Sequence, residues 1–255
     1  MVKFIPLARP LFVRACSFFP SLKSILLNGA LNYVAAHYSF AGDGFATIHD
    51  VSYLSCPKFL KAWVDAFQYL PERPFYHHLK YRLHIAQYLS SIALNIDGVF
   101  LELGVNYGYT SKFLASYYES DIRFMARKFY LCDTWGGVCY ENHLSYQQDI
   151  YTLVARRFVQ YANVVLNRGL LPESLNSIEL TSIAYLFLDL NNAALELDIL
   201  ESLWSRLSLR AVVIFDDFGW SFYDSSDRHK LESFLSSVNQ HLLHFPCGTA
   251  ALIKS

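Results

Sequence analysis

Leu60, Trp63, Val64 and Phe67 recur at i, i+3, i+4 and i+7, which predicts a helix with that apolar face turned inward. Leu79, Leu83, Ala86 and the pair Tyr88-Leu89 predict a second helix, before the turn pair Asp97-Gly98. Beyond that turn the pattern changes. Short apolar runs occur at 99–103, 129–132, 163–166, 183–188 and 211–215, with helix-like stretches between most of them. Strands that are apolar throughout and alternate with helices predict an α/β fold, its sheet mostly parallel and covered on both faces. Leu197, Leu200, Leu203, Trp204 and Leu207 stripe one intervening helix. Near the end a helical pattern over 230–238 precedes an apolar stretch over 242–253, broken at Pro246-Cys247-Gly248. That stretch reads as antiparallel closing strands. Residues 1–95 are thus expected to be a mostly helical extension or cover, and 96–255 the sheet domain.

Composition narrows the function without naming it. Of 255 residues, 53% are hydrophobic and the net charge is −1. That composition supports a full core and gives no general attraction to nucleic acid, which leans on clustered Lys and Arg. The five cysteines form no C-x-x-C pair and are odd in number, which speaks against structural zinc and a disulfide framework and makes a reducing cytoplasm the default setting. Lys3, Arg9, Arg14 and three prolines interrupt the apolar opening, so it lacks the unbroken run of a signal peptide. Residues 1–40 read as packing helices or a homo-oligomer contact, with a membrane contact as the lesser reading. H-E-x-x-H, G-x-S-x-G and P-loop patterns are all absent, which disfavours a zinc hydrolase, an α/β-hydrolase and a P-loop nucleotidase.

Three motifs carry chemistry. In the first, the apolar run ending at Leu103 contains Glu102 and opens through Gly104 and Gly108 into a helix pattern from Tyr109. Ligands of such sheets sit beyond the carboxyl ends of strands, where this turn falls. Asn106 stands where a dinucleotide loop wants its second glycine, which speaks against an NAD-dependent oxidoreductase. An acid at the strand end suits a ligand with an ammonium group, such as the methionine part of S-adenosylmethionine (SAM). The second motif is Asp133-Thr-Trp135-Gly-Gly137. Asp133 is placed to accept hydrogen bonds from ribose hydroxyls, or is a helix cap or turn residue. Trp135 is placed to stack on adenine, or is core. The third is Asp189 at one strand tip with Asp216-Asp217 at another. Three carboxylates at one sheet edge repel unless neutralised. A divalent cation such as Mg²⁺ is the usual remedy, and one carboxylate, Asp189 first, can serve as general base. His143, beyond Trp135, is a second candidate base.

Taken in order, Glu-x-Gly-x-x-x-Gly, Asp-Thr-Trp-Gly-Gly, Arg168-Gly169 with Leu175, Leu-Asp-Leu-Asn and Asp-Asp-Phe-Gly resemble the macrocin O-methyltransferase family over roughly residues 76–255. The resemblance implies a Rossmann-like class I methyltransferase sheet of seven strands, mostly parallel, with a helical N-terminal extension. It implies SAM held by Glu102, Gly104, Asn106, Gly108, Asp133 and Trp135, and a divalent metal on Asp189, Asp216 and Asp217. The expected reaction is O-methylation of a hydroxylated small molecule, a sugar or sugar-bearing natural product. Three stretches depart from the family pattern: Ser208-Leu-Arg210 replaces a Pro-Gly turn, Ala193-Ala194 an aromatic, and Arg228-His229-Lys230 a Gln-Lys pair. They keep open an alternative, a SAM-binding scaffold without catalysis.

Overall fold

The structure is a computed structural model that describes residues 38–68, 79–136, 149–220 and 224–255. The chain divides into two compact units, Met1–Val51 and Ser52–Ser255. The division falls well before the 95/96 boundary expected from the sequence, because the helices of 52–95 pack within the second unit. In the first unit, β1 (Phe40–Gly42) and β2 (Phe45–Thr47) pair antiparallel. Their loop, Asp43-Gly44, has φ values of 50° and 82°. Two positive φ angles fit the type I′ turn that matches strand twist, and Asp-Gly is among its preferred pairs. Within the stretch expected to be mostly helical, residues 40–47 are thus a hairpin.

The second unit begins with two helices, α1 (Pro57–Phe67) and α2 (Lys80–Ala93). The period expected for α1 is present, but its phase is different. Phe59, Ala62 and Ala66 are the buried positions, while Val64 is 57% exposed. The two alanines let α1 lie close to α3 (Tyr109–Tyr117), which the one-turn α4 (Ile122–Met125) follows, with the Phe59 and Phe113 rings 4.9 Å apart. Trp63 instead lies at the edge beneath the Lys80 ammonium, 4.5 Å away. In α2 Leu83, Ala86 and Leu89 of the expected pattern turn inward and are buried, while Tyr88 is exposed.

The sheet contains β3 (Val99–Leu103), β4 (Phe129–Asp133), β5 (Val164–Arg168), β6 (Ile183–Leu188), β7 (Leu207–Phe215), β8 (Leu243–His244) and β9 (Ala250–Ile253). Their order is β5-β4-β3-β6-β7-β9-β8. β3 to β7 are parallel and β9 runs against them. This is the seven-stranded, mostly parallel sheet expected. All six residues of β6 are buried, as befits a strand covered on both faces. One face packs Leu101, Leu103, Leu186 and Val213 against Ile199 and Leu200 of α6 (Ala193–Leu203) and Leu231 of α7 (Ser225–Ser237). The other is aromatic, with Phe100 stacked 4.9 Å from Tyr185.

β7 starts earlier than the apolar run suggested. Ile183 pairs with Leu207 but Tyr185 with Val212, so the strand bulges between these pairs. Arg210 takes φ 67° there and donates its N–H to Lys254, 2.7 Å away. A non-glycine left-handed residue thus keeps the chain on course where the related pattern has Pro-Gly.

The chain leaves β3 for β4 and β5 on one side, then returns to place β6 on the other side of β3. The crevice beyond the carboxyl ends of β3 and β6 is therefore the topological switch point. Register brings the motif acids level with it. Leu103 pairs with both Cys132 and Leu188, and Leu188 pairs with Phe215. The next amides continue the ladder, from Gly104 to Cys132, Asp189 to Leu103 and Asp216 to Leu188. No helix among the described residues is long and apolar enough to cross a membrane. Most of residues 1–40, to which the membrane reading was attached, lie outside the described residues.

Candidate functional site

Gly104 holds φ 82°, and a Cβ added there would meet the Asp189 carbonyl oxygen at 1.9 Å. The backbones of β3 and β6 approach too closely at the switch point for any side chain. Gly108 opens α3 at φ 71°, and its Cβ would meet the Phe158 ring at 2.8 Å. Phe158, on α5 (Tyr151–Phe158), thus packs directly against the start of α3.

Asp133 and Trp135 are both tied to loop backbone. The Asp133 carboxylate accepts N–H bonds from Val105 and Asn106 on one oxygen and from Trp135 on the other, each 2.8 Å long. It ties the β3 loop to the β4 loop. With both oxygens engaged by backbone, the carboxylate clamps the two loops together, and its bond from the Trp135 N–H is the turn contact. Trp135 is fully buried and donates Nε1–H to the Asn106 carbonyl at 2.9 Å. With its ring enclosed and tilted against Tyr151 at 5.5 Å, it offers no face to an adenine. The core reading of Trp135 is the right one.

What the loop does present is two buried polar atoms. Glu102 is 2% exposed, and its Oε2 has no hydrogen-bond partner. Burial pushes its carboxyl well above the ordinary value, and the nearby Asp216 adds to this. Asn106, at φ 53°, leaves its side-chain Oδ1 buried without a hydrogen bond. An unsatisfied buried acceptor carries a cost that a donor-rich ligand removes. Both acceptors are of the kind that the ammonium end of SAM could satisfy. His143 and Gly137 lie outside the described residues.

The third motif does converge. Carboxylate oxygens of Asp189, Asp216 and Asp217 lie within 4.8 Å of one another. Burial, then Asp216 and Asp217, push the Asp189 carboxyl well above its ordinary value. A cation is also present, though not the expected one. Arg82, in the first turn of α2, donates Nη1–H to Asp216 Oδ2 and to Asp217 Oδ1, the latter at 2.9 Å. Its Nη2 reaches the Cys247 carbonyl at 3.3 Å. The oxygen donor set would suit Mg²⁺, but a guanidinium already bridges two of its three members. The divalent-metal assignment does not fit this arrangement.

The sequence reading passed over Arg82, although it carried a signal. A positive charge in the first turn of a helix opposes the dipole and invites the question of what offsets it. Arg168, singled out with Gly169, pairs with Asp149 at 2.6 Å, away from the acidic group. The departures leave the frame intact. Asn192 caps α6 by accepting from the Leu195 N–H at 3.1 Å, just ahead of Ala193-Ala194, and Arg228 lies over the Phe218 ring at 5.4 Å.

Residues 101–218 match a family model described as a methyltransferase domain. No curated protein sequence matches the chain. Among solved structures, CalS11, a calicheamicin methyltransferase, shares 18% identity with a TM-score of 0.55, covering 84% of this chain and 99% of its own. The O-methyltransferase NovP shares 16% with a TM-score of 0.53, covering 68% and 79%. The SAH-bound methyltransferase PaMTH1 of Podospora anserina shares 12% with a TM-score of 0.50, covering 78% and 88%. At these identities the likeness is one of fold.

Proposed function

From the premise that residues 101–218 form a class I SAM-dependent methyltransferase domain, we propose that the chain methylates a hydroxyl oxygen of a sugar or sugar-bearing small molecule. The observation that carries this reading is the buried, unpartnered Oε2 of Glu102 at the switch point, one strand away from the carboxylate of Asp189. The sugar part rests on company: CalS11 is described as a TDP-rhamnose 3′-O-methyltransferase, and this chain shares its fold.

When bound, SAM supplies an electrophilic methyl group on a sulfonium. Glu102 and Asn106 would hold its ammonium end, and the clamp of Asp133 on Val105 and Asn106 keeps their loop rigid. Holding acceptor and donor in line supplies much of the rate in such transfers. Asp189 is the base. It would take the hydroxyl proton as the acceptor oxygen is methylated, with SAM supplying the methyl group and leaving as the neutral thioether. A carboxyl whose affinity for protons is raised by burial is a stronger base than a solvated one.

Calorimetric titration of SAM, followed by turnover on a panel of nucleotide sugars, tests the reading. Wild type should bind SAM at micromolar concentrations, and Asp189→Asn should keep that affinity while losing about 10²–10⁴-fold in turnover. Absence of SAM binding would overturn the reading. SAM binding without turnover on any hydroxylated acceptor would favour the scaffold alternative.

A further inference from the structure

Arg82 is placed where a solvent-facing basic residue is not. It lies in the first turn of α2, against the helix dipole, with its side chain only 6% exposed. Buried neighbours Leu83, Ile85 and Ala86 fix this turn, so the guanidinium is aimed rather than loosely tethered. Among the described residues its donors reach the carboxylates of Asp216 and Asp217 and the Asp216 carbonyl after β7, and the Cys247 carbonyl in the turn between β8 and β9. A guanidinium keeps its charge at every accessible pH and makes directional bonds to carboxylates. A divalent ion shared by Asp216 and Asp217 would have to displace it, and Mg²⁺ gives up its water reluctantly.

Building on the methyltransferase reading, we propose that Arg82 is the resident cation of the strand-tip carboxylates. It holds Asp216 and Asp217 in place of a divalent metal and leaves the half-buried Asp189 to meet the acceptor hydroxyl. In this role Arg82 is a positioning residue, acting through the two aspartates that it orders. The proposal makes the three-aspartate group a metal site only when Arg82 is removed.

The test is Mn²⁺ titration of the full chain, followed by the loss of the free-ion paramagnetic resonance signal. Wild type should take up no Mn²⁺ that depends on Asp217. Arg82→Ala should gain a site at least about tenfold tighter than any in wild type, lost again in Arg82→Ala/Asp217→Asn. Arg82→Lys, which keeps a cation in place, should gain none. Wild-type Mn²⁺ binding abolished by Asp217→Asn alone would overturn the proposal, and so would a folded Arg82→Ala that gains no site. If Arg82→Ala does not fold, wild type against Asp217→Asn still decides: Asp217-dependent uptake overturns the proposal and its absence supports it. SAM affinity, measured on the same wild-type sample, separates the two claims. Its absence strikes the methyltransferase reading and leaves the metal result standing.

Discussion

The loop pair beyond β3 and β4 and the acidic group beyond β6 and β7 stand at the same edge of one sheet, and both are built around aspartates. They neutralise those aspartates differently. Asp133 is surrounded by three backbone N–H donors from its own and the neighbouring loop. Asp216 and Asp217 are met by a full charge carried in on α2. The first solution makes the carboxylate part of the scaffold. The second leaves a net negative group, with Asp189 beside it, ready for an acceptor. An acid at a strand tip is therefore not in itself a ligand contact; what surrounds it decides.

The sharpest way to break the comparison is at the contact joining the two regions. Gly104→Ala puts a methyl group against the Asp189 carbonyl and forces alanine into φ 82°. Both regions must move, and the expected loss is about 4 kcal/mol or more in urea unfolding, with SAM binding abolished. A variant within about 1 kcal/mol of wild type would mean that β3 and β6 do not approach this closely.

Each region can then be broken alone. Asp133→Ala leaves three loop N–H groups without their acceptor, at an expected cost of about 2–4 kcal/mol and a clear loss of SAM affinity. Asp217→Asn should cost less, about 1 kcal/mol, because Arg82 keeps Asp216 as a partner and Asp217 is partly solvated. Its SAM affinity should stay close to wild type. If Asp217→Asn weakened SAM as much as Asp133→Ala does, the two regions would not be separable.

Sequence and structure agree where a run of side chains reports one environment. The apolar runs of β3, β4 and β6 are buried on both faces, and period alone locates them. The convergence of Asp189 with Asp216 and Asp217 was also legible, since parallel strands put their carboxyl ends at one edge. The phase of α1 was not legible in its large side chains, because Ala62 and Ala66 make the close contact. The hairpin at Asp43-Gly44 had a sequence signal that a helical reading of its surroundings obscured. The sequence left two roles open for Asp133 and for Trp135, because the partners they take are backbone atoms and a sequence shows side chains only. The partnership of Arg82 with Asp216 spans 134 positions and no local pattern contains it.

The smallest effect expected is also the one with a sign that pH controls. Unfolded, Glu102 titrates near its ordinary value of 4.5; folded, burial and the neighbouring Asp216 raise it well above that. The folded state therefore holds the proton more tightly than the unfolded state. The stability this provides is fully present below the unfolded value and is lost as pH rises through the folded one. Glu102→Gln removes the ionisation and keeps the shape. Near pH 4 the variant should melt about where wild type does; near pH 8 it should melt higher, by on the order of a few degrees. SAM gives the measurement a second axis. A carboxylate that receives an ammonium group must ionise, so wild-type SAM affinity should strengthen with rising pH over the same window while that of Glu102→Gln stays flat. Parallel pH profiles in the two proteins would show that Glu102 is a buried strand residue and that the ammonium group is held elsewhere.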